Sequence, residues 1–259
     1  MIDWSKHFDR IYCFHFLGNG KKRLDDIKAE LSRVGILDSG IFQFVYTSPD
    51  PWEKRMWEND PRVRLCYGFK VGMMNLALAT ARSYREALAF GYRRCLFLEN
   101  DIRFLKDFDE IEATLAATPA DFDVVQYDKF LPWQMTNEQY ARMVGDHRIN
   151  DRFFRNDGNP LYSGACYRLN ESGMKKILGY LENTRPEPPD GLFAVKAGTT
   201  NACADRNMAV QVFYGDAMAA DYFRGRGNTH HKAYAPMKLD YSLYAVPDGY
   251  GRDANEMIS

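Results

Sequence analysis

The sequence has no excess of either charge. In a chain of 259 residues, 34 basic side chains stand against 35 acidic ones. That balance argues against a protein whose main partner is nucleic acid, which shows a basic surplus. No apolar run reaches the length needed to span a bilayer. Met1-Ile2-Asp3-Trp4-Ser5-Lys6 lacks the apolar core of a secretory leader. The expected location is therefore the cytoplasm, with peripheral contact at the inner membrane face open through a local basic patch. Cysteine is sparse and unpaired: Cys13, Cys66, Cys95, Cys166 and Cys203 show no metal-type spacing. Cys13, Cys95 and Cys166 lie in apolar runs and read as reduced core residues. Internal repeats, low-complexity tracts and an obvious linker are all missing, so residues 1–259 are read as a single domain.

What is present is a strand–helix alternation over a core that 46% hydrophobic residues can fill. Arg10 to Phe16 reads as a strand, Gly18-Asn19-Gly20 as its break, and about Lys21 to Val34 as a helix stopped by Gly35. Ile41 to Tyr46 is the next strand, and this β-α-β opening predicts a parallel sheet. Gly68 to Phe90 carries Met74, Leu78, Ala81, Tyr84 and Leu88 at helical steps. Phe108 to Thr118 is a second amphipathic helix, and Asp123 to Tyr127 a short strand. From Lys129 to Pro160 the pattern weakens, as expected of a recognition loop or a solvated excursion. Tyr162 to Leu169 is another strand, followed by a helix that Asn170 caps. Met208 to Tyr214 is the last strand.

The chemistry concentrates at Arg94-Cys95-Leu96-Phe97-Leu98-Glu99-Asn100-Asp101. An apolar strand runs into two carboxylates one residue apart. Burying them inside the strand is costly, which puts them at its carboxyl end, where open α/β sheets bind ligands. Carboxylate oxygens suit Mg²⁺ or Mn²⁺, ions that also hold substrate phosphates. A nucleotide-sugar site is the specific reading; an ordinary acidic turn is the alternative. Asp190 follows Pro186-Glu187-Pro188-Pro189 and reads either as a helix cap or as a catalytic carboxylate. Arg224, Arg226, His230, His231 and Lys232 gather in a glycine-rich tail.

Three segments together resemble the family 25 glycosyltransferases, the lipooligosaccharide-type galactosyltransferases related to collagen galactosyltransferases. Ile11-Tyr12-Cys13-Phe14-His15-Phe16 leading to Arg23 is similar to that family's opening strand and arginine. Ala87 to Tyr92, running into Leu96-Phe97-Leu98-Glu99-Asn100-Asp101-Ile102, resembles its helix end and acidic metal motif. Tyr162 to Leu169, then Gly173 to Leu178 and Asp190, resembles its late strand, helix and acid. Three departures stand out. Asn100 replaces the middle acid, His15 replaces a strand-one asparagine, and Ala79-Thr80 stand where the family has Ser-His. Gly18-Asn19-Gly20 is also similar to the glycine loop of sugar nucleotidyltransferases, without its Gly-Gly start and later proline.

The resemblance implies a GT-A fold, a Rossmann-like mostly parallel sheet flanked by helices. It also implies a metal-dependent transferase moving a sugar, with inversion, from a UDP-sugar such as UDP-galactose. The acceptor would be a glycan or glycolipid of lipopolysaccharide or capsule biosynthesis. The nucleotide-sugar half is placed at about 10–127 and the acceptor half at about 128–259. Phe16, Arg23, Glu99, Asn100 and Asp101 are expected at the donor. Asp101, Glu99 and His230 are expected at the metal, with Asp190 as base and Asp205 and Asp221 in reserve. A sugar nucleotidyltransferase and a catalytically degenerate binding domain are the two alternatives.

Overall fold

Residues 11–15 of Arg10–Phe16 are all buried, so this segment (β1) has both faces covered. In this computed structural model, residues 2–16, 20–47, 71–129, 136–156, 163–184, 197–212 and 241–246 are described. Helix α1 (Gly20–Arg33) buries Ile27 and Leu31. It is followed by Gly35 at φ 77°, a left-handed conformation that glycine adopts without steric cost. The second strand, β2 (Phe42–Thr47), lies parallel to β1, as the β-α-β pattern predicts. Helix α2 (Val71–Ala89) precedes Gly91 at φ 74° and delivers the chain to β3 (Arg94–Glu99), parallel to β1 on its other side.

A two-residue turn at Asn100 and Asp101 leads into β4 (Ile102–Phe104). Then come α3 (Phe108–Ala116), whose cap Asp107 accepts from the amides of Asp109 and Glu110, and β5 (Val124–Gln126). The stretch with the weakest pattern holds a helix and two strands: α4 (Asn137–Asp146), β6 (Arg148–Asn150) and β7 (Phe153–Arg155). Helix α4 starts on a capping box, in which the Thr136 hydroxyl and the Gln139 side chain satisfy each other's backbone amides. Strand β8 (Cys166–Asn170) ends at Asn170, whose side chain accepts from Gly173 N to cap α5 (Glu171–Asn183). Last come β9 (Asn201–Ala204) and β10 (Ala209–Gln211).

The main sheet runs β2-β1-β3-β8-β5-β9-β7-β6. Strands β2, β1, β3, β5, β9 and β6 point one way; β8 and β7 point the other. This is the α/β class that the sequence predicts, a mostly parallel, Rossmann-like sheet with helices on its faces. The last strand, expected from Met208 to Tyr214, is Ala209–Gln211, and it pairs antiparallel with β4 in a separate ribbon.

Alternation along the strands sorts the core into two layers. Ile11, Cys13, Leu96 and Leu98 face α1 and α3, with Ile27, Leu31, Ile111 and Leu115. Tyr12, Phe14, Cys95 and Phe97 face α2 and α5, with Tyr84, Met174, Ile177 and Leu178. Phe97 stacks on Tyr12 and on Tyr167, ring centroids 5.3 Å away in each case. Cys13, Cys95, Cys166 and Cys203 are free thiols, and all four are buried. Among the described residues no helix is long and apolar enough to cross a membrane.

Candidate functional site

Because β1, β3, β5 and β9 point the same way, their carboxyl ends meet at one rim of the sheet. Glu99 ends β3 there, and the turn after it lifts Asp101 to the same rim. Each carboxylate finds partners instead of lying bare in the core. Arg23, on the first turn of α1, donates from Nη2 to Asp101 Oδ2 at 2.5 Å, with both side chains largely buried. Gln211, closing β10, donates from Nε2 to Glu99 Oε2 at 3.1 Å and, more weakly, to Asp101 Oδ1 at 3.4 Å. The backbone fixes the turn as well. Val212 N donates to Asp101 O, and Glu99 N donates to Ala165 O. The two carboxylates also act beneath the turn: burial first, then the charges of Asp101 and Glu99, push the Cys13 thiol well above its ordinary value.

Asn100, between the acids, points inward and is 4% exposed. Its Nδ2 donates to His15 Nδ1 at 2.6 Å. An amide nitrogen only donates, so the His15 Nδ1 is the acceptor and the ring is neutral, with its proton on Nε2. Burial holds the His15 imidazole below its ordinary value, and the charges of Arg23 and Lys28 push the same way. His15 and Asn100 are therefore the two halves of one hydrogen bond.

Of the residues expected at the donor, Arg23, Glu99 and Asp101 are in mutual reach, and Asn100 supports them from below. Phe16 ends β1 on the same rim, half-buried. Asp190, His230, Asp221, Arg224 and Arg226 lie outside the described residues. Asp205 sits elsewhere on the rim, just after β9, with β8 and β5 between that strand and β3. It accepts from Arg148 Nη2 at 2.9 Å and from the Tyr140 hydroxyl. Ala79 and Thr80 are buried in α2, where the Thr80 hydroxyl donates to Leu76 O.

The donor set suits a hard cation in part. Two carboxylates one residue apart match a Mg²⁺ or Mn²⁺ that keeps waters and takes substrate phosphate oxygens. Among the described residues, no group of three or more His, Cys, Asp and Glu side chains gathers as a closed cage would need.

Three residues of this rim escape a reading of the sequence. Gln211 is uncharged and 110 positions from Asp101. Asp128 and Ser163 are lone polar residues beside strand ends. Asp128 follows β5 just as Glu99 ends β3, and that parallel is the one signal that marks it. Its carboxyl is 2% exposed. Its Oδ1 accepts from Cys166 N at 2.9 Å, and its Oδ2 is bonded to the Ser163 hydroxyl. Burial dominates and pushes this carboxyl up to about 7; Ser163 and the Cys166 amide pull it down, and the charge of Asp101 adds to the rise. The neighbouring Lys129 is spent on structure, its Nζ donating to Ala204 O, Asp205 O and Asn207 Oδ1.

No protein-family model matches this chain, and no curated protein matches it. Among solved structures it is similar to the mannose-1-phosphate geranyltransferase of Thermus thermophilus. The two are 11% identical and superpose with a TM-score of 0.41, over 78% of this chain and 75% of that one. A likeness this distant carries no argument about function.

Proposed function

We propose that this chain is a transferase of sugar-nucleotide chemistry, with its donor site on the rim formed by the ends of β1 and β3. One observation carries the reading. The Glu99–Asp101 pair meets Arg23, which stands on the opening turn of α1, so anionic oxygens and a guanidinium come together at one point. Helix amino termini favour phosphate through free N–H groups and the helix dipole. A guanidinium recognises phosphate through paired donors. Arg23 pairs with Asp101, and a diphosphate is a further anion that its guanidinium suits.

Asp101 and Glu99 are the residues proposed to hold Mg²⁺ or Mn²⁺, with His230 as a further ligand. Such an ion neutralises charge on phosphate oxygens as a bond to them breaks. Gln211 keeps the two carboxylates from spreading, and Asn100, held by His15, sets the depth of the turn. Asp190 is the proposed base for an acceptor hydroxyl, the role that a carboxylate plays on the far face of an inverting centre.

Two transfers use such a site. One moves a sugar, galactose from UDP-galactose by the family resemblance, onto a glycan or glycolipid acceptor. The other makes the sugar nucleotide from a sugar phosphate and a nucleoside triphosphate. Arg23 on the first turn of α1 supports the second at least as well as the first, because it brings phosphate-binding groups to the acids.

Thermal unfolding tests the shared reading. Wild type and Asp101→Ala are compared with UDP-sugars, with nucleoside triphosphates and with sugar 1-phosphates, each with and without Mn²⁺. A ligand that binds only the folded chain raises the melting temperature by mass action. A rise that needs both Mn²⁺ and Asp101 is the expected result. Release of nucleoside diphosphate then marks glycosyl transfer, and release of pyrophosphate marks nucleotidyl transfer. Binding without turnover would leave a degenerate binding domain; no rise with any ligand in folded protein would sink the reading.

A further inference from the structure

The rim contains a second buried acid that the donor reading does not use. Asp128 bonds to the Ser163 hydroxyl and to Cys166 N, while the intervening Ala165 O accepts from Glu99 N at 2.8 Å. Ala165 N in turn donates to Ser163 Oγ at 3.3 Å. Residues 163–166 are thus clamped on one side by Asp128 and hold the backbone of Glu99 on the other. The charges that act on Asp128 are Asp101 from the β3–β4 turn and Lys129 next to it, and Asp128 in turn pushes up the thiols of Cys166 on β8 and Cys203 on β9.

The two protonation states of this carboxyl bond differently. Ionised, Asp128 accepts from the Ser163 hydroxyl, whose proton points at Oδ2. Protonated, it donates to Ser163 Oγ, and the Ser163 proton must turn to another acceptor. Cys166 N keeps its acceptor in both states. Ionisation thus adds one negative charge that acts on Asp101 through the field and reverses one hydroxyl, while the fold keeps its backbone contacts.

We propose that Asp128 is a positioning residue of the acidic turn, clamping residues 163–166 against the Glu99 backbone, and that a proton gained or lost there changes the field that the Glu99–Asp101 pair offers to a cation. This rests on reading that pair as the donor site. Its consequence is affinity for a divalent ion that strengthens as pH rises through neutrality, because the ionised carboxyl attracts the ion. Burial supports this window, since it pushes Asp128 into the neutral range.

The test uses the full chain with Mn²⁺ alone as the probe, titrated calorimetrically from pH 5.5 to 8.5. Wild type is compared with Asp128→Asn and Ser163→Ala. The asparagine keeps an acceptor for Cys166 N and a donor for Ser163, so it imitates the protonated acid at every pH. Wild type is expected to bind Mn²⁺ about tenfold more tightly at the alkaline end. Asp128→Asn should stay flat at the acid-side affinity, and Ser163→Ala, which removes a hydrogen bond that favours the ionised acid, should move the step to higher pH. His15 remains in all three proteins, so a step that survives unchanged in Asp128→Asn belongs elsewhere and overturns the proposal alone. Absence of Mn²⁺ binding by wild type at any pH overturns the donor-site reading and this proposal with it. The carboxyl carbon of Asp128, followed by NMR in wild type, needs neither ligand nor variant. If it titrates in the ordinary carboxylate range, with no step near neutrality, the proposal fails even where Asp128→Asn does not fold.

Discussion

Asp101 and Asp123 are carboxylates at opposite rims of the same sheet, and each meets a cation. Their surroundings differ in kind. Asp123 opens β5 and gives its Oδ2 to Lys176 Nζ at 2.6 Å, to Thr200 N at 2.9 Å and to the Thr200 hydroxyl at 3.2 Å. It stands there without a second acid among these contacts, and one of its partners is a backbone amide. Asp101 has Glu99 two residues away, and its side-chain partners are Arg23 and Gln211. Side chains swing aside when a better partner arrives; a backbone amide does not. One rim spends its carboxylate on joining strand to strand and helix. The other holds two acids two residues apart through the side chains of Arg23 and Gln211.

Asp123→Ala should break this contrast most severely. Removing the acceptor strands the Thr200 amide and unpairs Lys176, a loss of about 2–3 kcal/mol or roughly 5–10 °C in melting temperature for a chain of this size. Asp101→Ala, measured in the same scan, unpairs the largely buried Arg23 guanidinium and should cost a comparable amount, but it alone should abolish the Mn²⁺-dependent shift. A Mn²⁺-dependent shift that survives Asp101→Ala would show that both rims are structural.

Gly173→Ala probes the Asp123 rim from the helix side. A Cβ on Gly173 would lie 2.4 Å from Asp123 O, and that neighbour is backbone, which cannot turn away. Helix α5 must shift off the strand, at a cost of about 1–3 kcal/mol. Urea unfolding reads this directly. A neutral or stabilising result, as expected of Gly→Ala in an open helix, would mean that α5 does not pack this closely.

At the acidic rim, Arg23→Ala should give a split result. Mn²⁺ alone is expected to bind several-fold more tightly, since a competing cation is gone. UDP or a nucleoside triphosphate should bind roughly tenfold more weakly, since a phosphate partner is gone. Calorimetry with each ligand separates the two effects. A fall in both affinities would mean that Arg23 only orders the turn.

The contrast between the rims also explains what a single sequence reveals. Strands β1 and β3 are legible because Ile11–Phe14 and Cys95–Leu98 are apolar runs with polar ends. The Asn170 cap and the Gly35 and Gly91 stops are equally plain, since caps and left-handed turns admit few residue types. The pair Glu99 and Asp101 is legible because two acids ending an apolar run are conspicuous. Strands β6, β7 and β9 are hidden. The first two are three residues long, and Asn201-Ala202-Cys203-Ala204 has no β-branched or aromatic residue to mark it. The start of α4 did carry a signal, Thr136 with Gln139 three residues on, within a stretch that otherwise reads as loop. The pairing of β10 with β4 is not local information, so neither the ribbon nor Gln211 beside the acids follows from sequence. His15 and Asn100 are 85 positions apart, and only their contact shows that they form one hydrogen bond.

The smallest expected effect is a matter of pH, and it sets His15 against Asp128 on the same rim. His15 is held below its ordinary 6.5, so the unfolded chain binds this proton more readily than the folded one. Its contribution to stability is present above about 6.5 and is lost as pH falls below it. Asp128 is pushed from 3.8 up to about 7, so here the folded chain holds the proton more tightly. That contribution is present at low pH and is lost as pH rises from about 4 to about 7. The two slopes oppose each other below about 6.5 and partly cancel in wild type. Urea unfolding from pH 5 to 8 separates them. Asp128→Asn removes the falling slope, so its stability should rise with pH up to about 6.5 and then level off. His15→Asn keeps an acceptor for Asn100 and removes the rising slope, so its stability should fall more steeply than that of wild type. If both variants keep the wild-type profile, neither group titrates between the folded and unfolded states as its surroundings dictate, and the rim is tuned by other residues.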